Sequence, residues 1–192
     1  MKNSLLSDLL VPVLVAIFAA IMLVQFMQST GQSAHAYSVS PKPAPEFTQT
    51  DAEAWLGSAP LKMSNLRGKV VLIDFWTYGC WNCYRSFPWM NDLERRYKDQ
   101  DFQIIGIHTP EFEHEKERDN VVKKIEEFEL DHPTMMDNDF GFWKRMGNRY
   151  WPTYYLIDKK GLVRYFFIGE THEGTDKAIA IESAIKTLLS ET

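Results

Sequence analysis

The chain has only two cysteines, Cys80 and Cys83, and they follow directly on the apolar run Lys69-Val70-Val71-Leu72-Ile73-Asp74-Phe75-Trp76. A continuous apolar run of this length, preceded by Arg67-Gly68, reads as a central strand buried on both faces. From Trp81 to Tyr97 the apolar residues Phe87, Met90, Leu93 and Tyr97 recur at helical spacings of three and four, with Pro88 as a kink. The pair thus sits where a buried strand turns into a helix. A Cys-x-x-Cys placed there is suited to making and breaking one disulfide, and no cysteine remains for another task. A bridge closing so short a loop stabilises little, so the pair reads as catalytic rather than structural.

Length and composition fit one domain plus something small. The chain has 192 residues, 45% of them hydrophobic and 14% aromatic, ample for a packed core. Its formal net charge of -5 and the lack of a basic patch with interleaved aromatics argue against nucleic acid as a partner. The N-terminus differs from the rest. Leu9 to Phe26 carries no charge and is close to the roughly 20 residues needed to cross a bilayer core. Lys2 and the amino terminus precede it, and Gln28 to Ser40 has no lysine or arginine, which favours an N-in orientation with the remainder exported. Two readings compete: an uncleaved single-pass anchor, or a signal peptide processed at Ala34-His35-Ala36 that leaves a soluble periplasmic protein. The length of the run, and the distance from its end to that site, favour the anchor.

The expected organisation is a signal-anchor segment over 1–28, a Pro/Ser-rich linker over 29–45 and a folded domain over 46–192. Within the domain, Phe102 to Ile107 reads as a strand, and Glu113 to Leu130 as an amphipathic helix with Val121, Val122, Ile125 and Phe128 on one stripe. His132 to Met136 reads as extended and Phe140 to Met146 as a short helix. Thr153 to Asp158 and Leu162 to Ile168 read as a hairpin about Lys159-Lys160-Gly161, and Thr175 to Leu189 as a closing helix. The order predicts an α/β fold, a central sheet with helices on both faces. Asp74 is the exception in its strand: an acid expected to be buried.

These residues resemble the thioredoxin superfamily, and within it the exported TlpA-like branch. The resemblance rests on Leu66-Arg67-Gly68-Lys69 before Val-Val-Leu-Ile-Asp-Phe-Trp, on Pro88 five residues after Cys83, and on Trp151-Pro152-Thr153 before Tyr-Tyr-Leu-Ile-Asp. More narrowly, Phe75 to Cys83, Gly106 to Lys116 and Asn148 to Asp158 are similar to the exported thioredoxin-like domain of DipZ-type proteins, over roughly Trp55 to Leu189.

The resemblance implies a thioredoxin-like fold with an inserted helix and a thiol-disulfide oxidoreductase without metal or organic cofactor. Cys80 is then the nucleophile at the helix N-terminus, where unpaired N–H groups favour a thiolate. Cys83 resolves the mixed disulfide, with Trp81 and Asn82 between them setting the redox poise and meeting substrate. Asp74 is the buried acid that moves a proton to or from the resolving cysteine. The family's lysine beside that acid is replaced here by Gly106, and Glu111 is an auxiliary candidate from the inserted segment. Pro152 is the expected cis-proline, and Trp151 before it pairs its backbone with substrate. His108 reads as a structural histidine, with metal ligation or a proton-shuttle role as the alternatives. The implied partners are protein disulfides as substrates and a membrane thiol-disulfide electron donor. The implied place is the exported side of the cytoplasmic membrane, and the chain is expected to be a monomer. The family sets the expected direction, reduction. Two rivals are a copper-binding assembly factor on the same fold, disfavoured by the close cysteine spacing, and a thiol peroxidase.

Overall fold

The computed structural model describes residues 37–191 and, before them, Phe18 alone. The expected membrane segment Leu9–Phe26, Phe18 apart, and the processing site Ala34–Ala36 lie outside the described residues. Among the described residues no helix is long and apolar enough to cross a membrane.

Seven strands form one mixed sheet: β1 (Tyr37–Pro43), β2 (Trp55–Leu56), β3 (Val70–Trp76), β4 (Phe102–His108), β5 (Thr134–Met136), β6 (Thr153–Ile157) and β7 (Leu162–Ile168). Their spatial order is β1-β7-β6-β3-β4-β5-β2. The β3–β4 and β4–β5 pairs are parallel and the other pairs antiparallel. Among the described residues from 37 on, four α-helices accompany the sheet: α1 (Trp81–Tyr97), α2 (Arg118–Glu127), α3 (Gly141–Met146) and α4 (Asp176–Ser190).

The central strand β3 is buried along its whole length. Because side chains alternate across a strand, it serves two cores. Val70 and Leu72 join Ile104 and Leu156 beneath Met90 and Leu93 of α1 and Ile181 and Ile185 of α4. Val71, Ile73 and Phe75 face the other way, onto Phe142 and Met146 of α3 and onto Phe47, Trp55 and Met63. Asp74 and Trp76 lie on the first face, towards α1. The parallel register sets Asp74 beside Gly106 and Trp76 beside His108.

Two segments depart from the sequence expectation. The single helix expected over Glu113–Leu130 is broken: Glu113–Lys116 forms one 3-10 turn, and α2 starts at Arg118. The break occurs where Glu115 turns inward to accept backbone N–H groups, leaving the amphipathic stripe to the second piece. The second departure lies in the expected linker. Tyr37–Pro43 forms an edge strand antiparallel to β7, pairing Lys42 with Val163 and Pro43 with Leu162 across an irregular register. Proline content suggests a linker, but an edge strand tolerates proline, because a missing N–H on the outer side breaks no ladder bond.

The packing of β1 on β7 yields a prediction. A fragment starting at Glu46 should be less stable to urea than one starting at Ala34, by roughly 1–3 kcal/mol for the lost strand pairing and apolar cover. Equal midpoints would show that the edge strand adds nothing to the fold.

Candidate active site

Cys80 and Cys83 are joined in a disulfide at the start of α1, with Cα atoms 5.3 Å apart. Cys80 is the N-cap residue, in extended conformation, and its Sγ accepts from the Cys83 N–H at 3.2 Å. That N–H is shared with the Cys80 carbonyl at 3.1 Å, and N–H groups at a helix start stabilise a sulfur there most strongly when it is a thiolate. Cys80 is partly exposed, whereas Cys83 is buried against Trp76 and Phe87. The two sulfurs are thus unequal: one meets a partner molecule, and the other is sealed inside.

A shallow cleft of about 400 Å³ opens beside the disulfide, with Cys80, Trp81 and Asn82 on one wall, Glu111 on another, and Arg149, Tyr150 and Trp151 on the third. Trp81 is 64% exposed and stacks on Tyr84 at 5.2 Å, presenting an apolar surface to solvent. The Trp151–Pro152 peptide bond is cis, and Pro152 is buried. Trp151 itself is half-buried. Its Nε1–H donates to the Thr109 carbonyl at 3.1 Å, and its ring lies 4.3 Å from that of Trp143. That anchoring props the proline loop against the end of β4 as well as offering surface to a substrate.

Glu115 holds the loop before the disulfide, a contact the sequence reading missed. Its buried carboxylate accepts from the N–H groups of Gly79 at 2.8 Å, Glu111 at 2.6 Å and Phe112 at 2.9 Å. A Cβ at Gly79 would collide with Glu115 Oε1, so glycine is required at that close approach. Hydrogen bonds to a charged acceptor contribute roughly 1.5–3 kcal/mol each, enough to fix the active-site loop to the inserted segment. Glu115 lies in the run Glu111-Phe112-Glu113-His114-Glu115-Lys116-Glu117-Arg118, and nothing in that pattern separates it from the other glutamates. Glu111, the acid singled out from the sequence, lines the cleft with an exposed side chain.

His108 is fully buried and sits between aromatic rings, 4.8 Å from Trp76 and 5.7 Å from Tyr78. Its Nε2 lies 3.3 Å from Thr77 Oγ1. Burial pushes its pKa down from 6.5 to about 4, so the ring is neutral near pH 7. Such a ring is placed to brace the loop.

Asp74 is 2% exposed, and its Oδ1 has no hydrogen-bond partner among the described residues. Burial pushes its pKa up from 3.8 to about 7, with the His132 ring opposing the shift. It stands two residues before Trp76 on the same face, and Trp76 packs on Cys83. A buried carboxyl pushed up to about 7, on the face of β3 that packs towards the helix carrying Cys83, is suited to exchanging a proton during resolution.

The two shifts have opposite linkage signs. A carboxyl whose folded pKa is raised binds its proton more tightly in the folded state. Stability from Asp74 is therefore full below about pH 4 and lost as pH rises through about 7. A histidine whose folded pKa is lowered acts in reverse: stability from His108 is lost as pH falls from 6.5 through about 4. Asp74→Asn removes only the first. Its stability advantage over the parent should grow between those limits and then level off, reaching at most about 4 kcal/mol. Urea melts across that pH range measure it, and a constant difference would show an unshifted carboxyl.

Comparison with known proteins gives a consistent picture. Residues 40–183 match the Redoxin family model. Protein DipZ of Mycobacterium tuberculosis is 44% identical over 119 residues, covering 60% of this chain but 17% of DipZ, so the chain spans about a sixth of that relative's length. Thiol-disulfide oxidoreductase ResA of Bacillus thuringiensis is 32% identical, covering 67% of this chain and 69% of ResA. Thiol-disulfide oxidoreductase YkuV of Bacillus subtilis is 28% identical, covering 79% of this chain and 97% of YkuV. Among solved structures, a thioredoxin-like protein in its oxidised form superposes with a TM-score of 0.67 at 27% identity, over 79% of this chain and 97% of its own. The strand order, the disulfide at the start of α1 and these matches agree: the chain belongs to the Redoxin family, with a thioredoxin-like fold and a Cys80–Cys83 redox pair.

Proposed function

We propose that the chain is a thiol-disulfide oxidoreductase that reduces protein disulfides on the exported side of the cytoplasmic membrane, tethered there by Leu9–Phe26. The carrying observation is the inequality of the two sulfurs: Cys80 partly exposed at the helix N-cap beside the cleft, Cys83 buried against Trp76 and Phe87.

The reaction runs in two exchanges. In the reduced protein the Cys80 thiolate, favoured by the Cys83 N–H, attacks one sulfur of a substrate disulfide. One substrate thiolate leaves and takes a proton from solvent, and a mixed disulfide joins Cys80 to the substrate. Cys83 then loses its proton to Asp74 and attacks Cys80 Sγ. The mixed bond breaks, the Cys80–Cys83 bond forms, and the second substrate thiolate leaves. Two electrons have passed from the protein to the substrate. The rim formed by Trp81 and Tyr150, both exposed, and the edge at Trp151 suit an extended segment of a partly unfolded chain.

Three parts of this reading come from the resemblance and the sequence. The reducing direction follows the TlpA-like and DipZ-type likeness. Export and tethering follow from the charge-free N-terminal run and the weak positive bias before it. The donor is a membrane thiol-disulfide protein, because the domain must be re-reduced after each turnover and carries only one pair of cysteines.

Cys83→Ala tests the mechanism. It should leave Cys80 to attack and hold substrates as stable mixed disulfides, seen as thiol-sensitive adducts of exported proteins on non-reducing gels. Absence of such adducts, with Cys80 still reactive to a small disulfide, would contradict action on protein disulfides.

A further inference from the structure

Where α3 ends, a cavity of about 360 Å³ opens on the sheet face away from α1 and α4. Met146 is the last residue of α3, and Gly147 turns the chain with a left-handed φ of 72°. Beyond that turn the strands are covered only in part. Val39 of β1, Tyr155 of β6, and Val163 and Phe166 of β7 form apolar walls with Met146. Tyr155 and Phe166 are register partners, and Thr153 and Ile168 are the next pair on the same face. Thr153 directly follows Pro152, so the cavity runs up to the proline loop. Its volume lies in the range of about 300–1,000 Å³ typical of pockets that bury ligand groups.

The cavity is continuous with the disulfide cleft, because Arg149 and Tyr150 line both. The wall they form is held in place. Thr153 Oγ1 donates to the Tyr150 carbonyl at 2.8 Å, and Asn148 Nδ2 donates to the same carbonyl at 3.1 Å. The buried Asn148 accepts in turn from the Tyr155 hydroxyl at 3.3 Å. The site is therefore formed before a substrate arrives, which lowers the cost of binding. Its charge is one-sided. Lys42 and Arg149 are exposed at it, neither makes an ion pair among the described residues, and no carboxylate lines it. Glu111, by contrast, lines the cleft beside the disulfide. An acidic group is favoured at the cavity and disfavoured next to Cys80.

We propose that this cavity is a second substrate subsite, taking an apolar side chain of the incoming chain while Lys42 and Arg149 pair with an acidic residue next to it. The proposal rests on the reading that the chain reduces protein disulfides. A segment whose cysteine reaches Cys80 and which runs past Tyr150 meets the cavity after a few residues, at about 3.3 Å per residue. The selected sequence is thus a cysteine a few residues from an apolar–acidic pair, such as Phe-Asp or Leu-Glu. A folded protein keeps most of its large apolar side chains inside, so the subsite favours partly unfolded chains. Apolar burial supplies the affinity, and the two cations fix the register.

The aromatic surface on the other side of Cys80 does not offer the same. Trp81 stacks on Tyr84, Tyr84 packs on Phe128, and Lys124 lies over the Phe128 ring. The hollow beside Tyr84 and Phe128 is lined by Arg85 and Arg95 but also by Glu127 and Glu129, so its charges are mixed. It shares no lining residue with the disulfide cleft.

Peptide selectivity tests the subsite. Reduced protein is mixed with peptides that hold one cysteine in a disulfide with mercaptoethanol. The second-order rate constant for release of the peptide thiol is divided by that for hydroxyethyl disulfide, which is too small to span both sites. Phe-Asp placed a few residues from the cysteine, on one side of it, should raise this ratio about tenfold over Ser-Asn. It should raise it about threefold over Phe-Asn, and that part should fade in high salt. Val39→Trp, which fills the cavity from β1, should cancel the preference for Phe. Lys42→Glu, an exposed change that keeps the test open if Val39→Trp does not fold, should cancel the preference for Asp and leave that for Phe. If the parent reduces all the peptides equally, or if folded variants keep its selectivity, the subsite is overturned and reduction of protein disulfides stands. Flat selectivity together with a concentration-dependent dimer broken by the same variants would overturn it too, and assign the cavity to a second copy. If hydroxyethyl disulfide is reduced and no peptide is, the functional reading falls with the subsite.

Discussion

Burial of β3 on both faces organises the domain. Once Val71, Ile73 and Phe75 are committed to one core, Val70, Leu72, Asp74 and Trp76 must face the other. That alternation places an acid inside the protein on the side where α1 packs, and it aims the end of the strand at the helix carrying both cysteines. A register slip of one residue would move Asp74 to the opposite face, away from the helix that carries Cys83. The chemistry of the site is therefore a consequence of the alternation that builds the cores.

Asp74 is kept inside with no hydrogen-bond partner for its Oδ1 among the described residues, and burial raises its pKa. Its strand partner is glycine, and the space beside that glycine is shared by the tips of Trp76, Thr134 and His132. A second buried acid, Glu115, acts differently. It satisfies three backbone N–H groups and ties the Gly79–Cys80 loop to the segment after β4. One acid is left under-satisfied and titrates near neutrality; the other is saturated with donors and serves as a clamp. Both side chains are buried, so their roles differ in the partners they find and not in depth.

Much of this was legible in the sequence, because the strong signals are periodic. The run from Val70 to Trp76 has no reading but a buried strand, and Trp81–Tyr97 and the closing helix carry clear helical stripes. Placing Gly106 beside Asp74 followed from the family resemblance, and the register agrees. The misses have physical causes. Proline in Tyr37–Pro43 suppressed a strand signal that an edge position tolerates. Glu115 and His132 carry no periodic signature. Each depends on a loop turning inward, and one-dimensional patterns record charge but not the direction a loop takes. A helix stripe found in Val121, Val122 and Ile125 was extended across Glu115 for the same reason.

The central claim is that this redox pair donates electrons, and its reduction potential tests that most directly. Equilibrating the soluble fragment from residue 34 against a dithiol buffer should give a value near or below that of thioredoxin, roughly -270 mV. A dithiol of that potential needs a membrane donor to stay reduced in an oxidising compartment. A value near that of DsbA, roughly -120 mV, would contradict the account and make the protein a disulfide donor.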